Sequence, residues 1–105
     1  MISRIWHGYT TPANADTYLQ IVTAKVIPGI FAMQIPGFER IELFRRVLPD
    51  EVEFVTVMWF ASLDAVKAFT GEDHETAHVP PEARAVLSRF DARAQHYDIL
   101  HDRRA

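Results

Sequence analysis

Alternation and helical periodicity divide this chain into a short series of elements. Ile2 to Thr10 places Trp6 on one parity and Ile5 and Tyr9 on the other, then stops at Thr11-Pro12. This predicts a strand running into a helix start, with Thr11 as cap, Pro12 in the first helical position and Asp16 near the positive helix end. Ala15, Tyr18, Leu19, Val22 and Val26 then recur with helical spacing on one apolar face. Pro28-Gly29 interrupts that helix, Ile30 to Ile35 resumes it as a kinked turn, and Pro36-Gly37 ends it. Phe38 to Leu48 reads as a second strand, Pro49-Asp50-Glu51 as a turn and Val52 to Phe60 as a third strand, so the last two form a hairpin. Ser62 caps a helix with Leu63, Val66 and Phe69 facing inward and Gly71 as its stop. Glu72 to Val79 is expected to form one or two helical turns. Pro80-Pro81 breaks them and starts a short helix through Val86, Leu87 and Phe90, and Asp91 to Leu100 is the closing strand.

The order strand, helix, strand, strand, helix, strand specifies the α+β class and the ferredoxin-like βαββαβ plan, a four-stranded antiparallel sheet with both helices on one face. Residues 1–100 form that one domain and 101–105 a polar tail. In this plan the first and third strands are central. The third is apolar on both parities: Phe54, Met58 and Phe60 on one, Val55, Val57 and Trp59 on the other. Two helices cover only one face. The other would expose on the order of 350 Å², near the limit a monomer usually leaves uncovered. Burying it against a second copy gains about 15 kcal/mol gross, against an association cost of about 4–15 kcal/mol. A homodimer through the sheet is therefore expected, although periodicity does not say which face meets the partner.

Composition narrows the partners. The 105 residues carry a formal charge of −3, with 49% hydrophobic and 24% charged. This balance gives no basic surface for nucleic acid. No apolar run reaches the ~20 residues of a membrane span, and no signal-like apolar segment follows the N-terminus. The chain has no cysteine, which fits a cytoplasmic protein and removes thiolate nucleophiles and thiolate metal sites. Glycine-rich phosphate loops and serine elbows are absent.

The histidines are the remaining candidates. His74-Glu75-Thr76-Ala77-His78 matches the metalloprotease pattern H-E-x-x-H, in which two imidazoles one helical turn apart hold a metal. Pro80 follows too soon for the long helix that motif occupies, so the expectation is no metal, with His74 and His78 as ligands only if the segment is helical. His7 on the first strand is a candidate base and Arg4 or Arg40 a candidate anion stabiliser. Trp6, Tyr18, Phe44, Trp59 and Phe69, with His74 and His78, are candidates to line an apolar ligand pocket.

Ile5-Trp6-His7-Gly8, Pro36-Gly37-Phe38, Val57-Met58-Trp59-Phe60 followed by Ser62-Leu63-Asp64-Ala65, and His96-Tyr97-Asp98 occur in an order that resembles the antibiotic biosynthesis monooxygenase family from Ile2 to Leu100. The resemblance implies the dimeric α+β barrel fold, two ferredoxin-like protomers packed sheet to sheet, with a pocket between sheet and helices. It implies a cofactor-independent monooxygenase acting on a small apolar or aromatic molecule. A non-catalytic, stress-associated or ligand-binding dimer is the first alternative. The second is a haem-degrading variant with His78 as axial ligand, because the Trp59 to His78 spacing is similar to that of haem-degrading members. No cofactor is expected under the first reading, and haem under the last. The first strand lacks the Asn and the second helix the Trp of the haem degraders, and Asn14, the one asparagine, lies outside a central position.

Overall fold

The computed structural model describes every residue, Met1–Ala105. Strand β1 spans Ile2–Thr10, β2 Phe38–Val47 and β3 Val52–Phe60, and the closing edge is split into β4 (Arg89–Phe90) and β5 (Gln95–Asp98). All pairings are antiparallel, in the order β2-β3-β1-β4, with β5 also on β1. β1 and β3 are thus central, as their two-sided apolarity requires. Helices α1 (Ala15–Ile21), α2 (Ile27–Ala32), α3 (Leu63–Thr70) and α4 (Pro81–Arg84) complete the chain. None of them is long and apolar enough to cross a membrane.

Three local expectations are corrected. Pro28-Gly29 does not interrupt the first helix. A π-helical turn over Val22–Val26 joins α1 to α2, with the Ile27 N–H bonded to the Val22 carbonyl. That wider register accommodates a residue with no N–H, so the helix continues through the proline. Thr11 makes no side-chain cap; a 3-10 turn over Pro12–Asn14 precedes α1. Third, Glu72 to Val79 is not helical. Thr76 bridges Arg93, the Ala77 N–H bonds the Ala92 carbonyl at 3.1 Å and the Ala94 N–H bonds the Glu75 carbonyl at 2.7 Å. Asp73 accepts from the Thr76 hydroxyl at 2.7 Å and from Arg93 at 2.8 Å, which fixes the turn before it. The Asp91 N–H still bonds the His7 carbonyl of β1 at 3.0 Å, and the docking draws Ala92–Ala94 off β1 and splits the closing strand. By contrast, Ser62 does cap α3, accepting from the Ala65 N–H at 3.2 Å, and Gly71 stops it at φ +90°.

The even-numbered residues of β1 and β3 face the helices. Two apolar clusters form there. One joins Tyr18, Val22, Val52, Phe54 and Ala83; the other joins Ile30, Met58, Phe60, Ala65 and Val66. The odd-numbered residues, with Phe44 and Tyr97 from the edges, form the open face.

Candidate functional site

A cavity of about 80 Å³ lies at the seam between the two clusters. The sheet supplies its floor through Arg4 and Trp6 of β1, Ile41 of β2, and Thr56 and Met58 of β3. Tyr18, Val22, Val26, Ile27 and Ile30 wall one side, and Phe69 with the extended segment Ala77–Pro80 walls the other. The π-helical turn is therefore part of the wall. Trp6 reaches its place because Gly8 follows two residues later on the same face: a Cβ at Gly8 would lie 2.8 Å from the indole. The Trp6 Nε1–H is satisfied by the Asp91 carbonyl at 2.7 Å, at the kink between β4 and β5. Tyr18 is 3% exposed, and burial pushes its phenol up to about 12.

Arg4 is the permanently charged residue of the lining. It is 5% exposed. Its Nη1 donates to the His74 carbonyl and to His96 Nε2 (3.0 Å), its Nη2 donates to the Thr76 carbonyl at 3.1 Å, and its guanidinium sits 5.6 Å from the Phe69 ring centroid. All these partners are neutral. Burial lowers the guanidinium pKa to about 10. Arg4 also pins the segment that closes the cavity, since two of its bonds go to that backbone.

His96, which enters the sequence reading only through the His96-Tyr97-Asp98 motif, sits beside Arg4 in register on β5. An arginine only donates, so His96 Nε2 is bare and Nδ1 carries the proton; Nδ1 is buried without a partner. Burial, then the charges of Arg4 and His74, hold the imidazole down at about 4. The folded state therefore resists a proton that the unfolded chain accepts, and stability is lost as pH falls from 6.5 toward about 4. Discounted for the partial exposure of the ring, this amounts to about 1 kcal/mol. Urea unfolding across that window should show the loss, and His96→Gln should flatten the part due to this residue; an unchanged slope would remove His96 from the account.

The remaining candidates separate. Of the expected pocket residues, Trp6, Tyr18, Phe69 and His78 line the cavity with Arg4. Phe44 and Trp59 do not: Phe44 pairs with Val55 and Trp59 with Ser3 and Arg40, all on the open face. His7 is also on that face, with Nδ1 2.9 Å from Glu53 Oε2, which also accepts from the Tyr9 hydroxyl at 3.1 Å. The His7 hydrogen bond holds the Glu53 carboxyl below its ordinary value. His74 contributes its carbonyl to Arg4, and its ring packs against His96 at 5.1 Å. His78 Nε2 must donate to the Thr70 carbonyl, 3.0 Å away, which leaves Nδ1 as its lone pair. With His74 and Glu75 in a turn and Thr76–His78 outside any helix, the H-E-x-x-H histidines share no helical face, and no group of three His, Asp or Glu side chains is placed to hold a metal.

The cavity as it stands is small and opens to solvent on one side. About 80 Å³ is far below the ~300–1,000 Å³ of larger ligand sites, and the Nε2 of His78 is already committed to a carbonyl.

No protein-family model and no curated protein matches the chain. Solved structures do. A Bacillus cereus protein assigned to the antibiotic biosynthesis monooxygenases superposes with a TM-score of 0.69 at 13% identity, covering 99% of this chain and 97% of its own. SnoaB, a cofactor-independent oxygenase from Streptomyces nogalater, gives 0.61 at 21%, covering 96% and 95%. MhuD, a haem degrader from Mycobacterium tuberculosis seen with two haems in its active site, gives 0.59 at 20%, covering 97% and 98%. The likeness runs end to end in each case, and at these identities it establishes architecture: this chain has the fold of the antibiotic biosynthesis monooxygenase-type proteins.

Proposed function

We propose that this protein is a small cofactor-independent oxygenase that takes a single-ring aromatic molecule into the cavity between sheet and helices. The observation that carries the reading is the cavity itself: apolar, set between sheet and helices and provided with one buried cation. The fold shared with SnoaB, a cofactor-independent oxygenase, supports it. The bond of His78 Nε2 to the Thr70 carbonyl sets the MhuD-like, haem-binding alternative second.

The chemistry needs little from the protein. A hydroquinone and O₂ give a hydroxyquinone and water; one oxygen atom enters the ring, the other leaves as water, and all four electrons come from the substrate. The protein must accept a phenolic proton, hold an anionic group and keep bulk water out. His78 Nδ1 is the available lone pair at the cavity wall, Arg4 supplies the positive charge, and Trp6, Tyr18 and Phe69 sandwich the ring. This transfers the role of base from His7 to His78, because a strand places residues three apart on opposite faces and Arg4 and His7 therefore cannot share a site.

The open face is assigned to a second copy. Ile5, Val55, Trp59 and Phe44 lie on it, partly screened by Arg40 stacked 4.1 Å from the Trp59 ring and Arg89 stacked 3.6 Å from Tyr9. The lack of cysteine favours a cytoplasmic setting. Oxygen-electrode measurements with single-ring hydroquinones and catechols test the oxygenase reading. Uptake is expected with wild type and should fall at least about tenfold in Thr56→Leu, which fills the cavity floor with a larger, apolar side chain. Uptake that is unchanged by filling the cavity, or absent across the panel, would leave the protein as a binding dimer without turnover.

A further inference from the structure

Arg4 is charged in the resting protein, before any reaction. It is 5% exposed, and its polar partners are two carbonyls and a neutral imidazole. The ion pairs of this protein involve other residues: Arg40, Arg89 and Arg93 all find carboxylates, and Arg4 does not. A buried cation without a counter-ion is costly, and carbonyl dipoles offset only part of the loss of water.

The donor count shows where a counter-ion would sit. A guanidinium has five N–H groups in a rigid fork. Nη1 spends both of its hydrogens on the His74 carbonyl and His96, and Nη2 spends one on the Thr76 carbonyl. The two left over are on Nε and Nη2, neighbouring nitrogens of the fork. Nε has no partner and is not among the buried, unpartnered side-chain atoms, which are Thr10 Oγ1 and His96 Nδ1, so it keeps some access to solvent. Nη2 is held by the Thr76 carbonyl with one hydrogen to spare, and Arg4 lines the cavity. Adjacent N–H groups on one edge of a guanidinium match the two oxygens of a carboxylate. The other charged side of the segment, where Arg93 meets Asp73 and Glu75, is already paired.

We propose that the natural ligand of the cavity carries a permanent carboxylate, bound bidentately by Nε and Nη2 of Arg4, with its apolar body against Trp6, Tyr18 and Phe69. This rests on the reading of the cavity as the ligand site and adds the charge class of the ligand. A cavity of about 80 Å³ limits the body to one small ring or a short branched chain. Phenolic monocarboxylates and small branched-chain or cyclic carboxylates are the chemical class. Arg4 is then the anchor for the ligand and, through the His74 and Thr76 carbonyls, the tie that holds the cavity wall in place.

Equilibrium binding, followed by calorimetry or ligand-observed NMR on the full chain, tests this without turnover. The probes are benzoate, 4-hydroxybenzoate, cyclopentanecarboxylate and isobutyrate, each against its carboxamide of the same shape. Wild type is expected to prefer the carboxylate by about tenfold or more, the size of a charge-assisted bidentate pair in a dry site. Arg4→Met should erase the preference, and Arg4→Lys should restore the charge while losing much of the bidentate gain. The wild-type comparison needs no variant to fold. Equal affinity for carboxylate and carboxamide, or no carboxylate bound at all, overturns the proposal. Carboxylate binding without oxygen uptake would sink the oxygenase reading alone; uptake with neutral hydroquinones and no carboxylate preference would sink this inference alone.

Discussion

Phe54→Ala is expected to destabilise the protein by about 3–5 kcal/mol. Phe54 is 0% exposed at the middle of β3, opposite Gly8 of β1, and its ring packs 4.8 Å from that of Tyr18. Gly8 has no side chain to refill the space, and Trp6 is held by its bond to the Asp91 carbonyl, so collapse around the vacancy is limited. The loss is large beside the ~5–15 kcal/mol by which most domains are stable. It corresponds to a fall in Tm of about 15 °C or more for a chain of this length. Thermal and urea unfolding at one fixed protein concentration measure it, since a dimer's midpoint moves with concentration. A loss below about 1 kcal/mol would mean that the ring is not the pillar of the helix-side core.

Phe44→Glu should split the proposed sheet-to-sheet dimer and leave the protomer folded. Phe44 is 47% exposed in the single protomer, so its replacement removes little from the protomer's own core. Its neighbour across the hairpin is Val55, in the middle of the open face. A carboxylate there would be buried unpaired on association, at a cost of about 2–5 kcal/mol or more at each of two symmetric positions. Light scattering at micromolar concentration is expected to give twice the 12.0 kDa protomer mass for wild type and the protomer mass for the variant, with unchanged circular dichroism. A wild-type mass of one protomer would contradict the sheet-to-sheet assembly. Unlike Phe54→Ala, this change spares the ligand cavity, so a carboxylate that still binds would show that the site is complete within one protomer.

Much of the architecture is legible in the residues because it rests on periodicity. Trp6 against Ile5, and Phe54 against Val55, show a strand apolar on both sides, and such strands must be central. What periodicity leaves open is which parity the helices cover. Trp59 and Phe44 are as apolar as Trp6 and Tyr18, yet they lie on the other face. Arg4 and His7 illustrate a signal that was available: an odd separation on one strand excludes a shared site. The non-helical course of His74–His78 is harder to foresee. It depends on backbone pairing with Ala92 and Ala94, contacts that no local pattern records. The same pairing accounts for the split closing strand. Pro28 reads as a break under the usual helix rules, and the π-helical turn before it evades them. The weight of Arg4 emerges only from three dimensions, where its polar partners prove to be neutral.

The central claim is that small ligands enter the cavity between sheet and helices. Amide and indole chemical-shift mapping during a titration with 4-hydroxybenzoate tests it most directly. The account predicts shifts at the Trp6 indole N–H, Thr56, Met58, Ala77 and Val79, with the Arg4 side-chain Nε–H moving most. Shifts gathered instead on the open face around Trp59, Arg40 and His7, with the Trp6 indole and Arg4 unmoved, would contradict it.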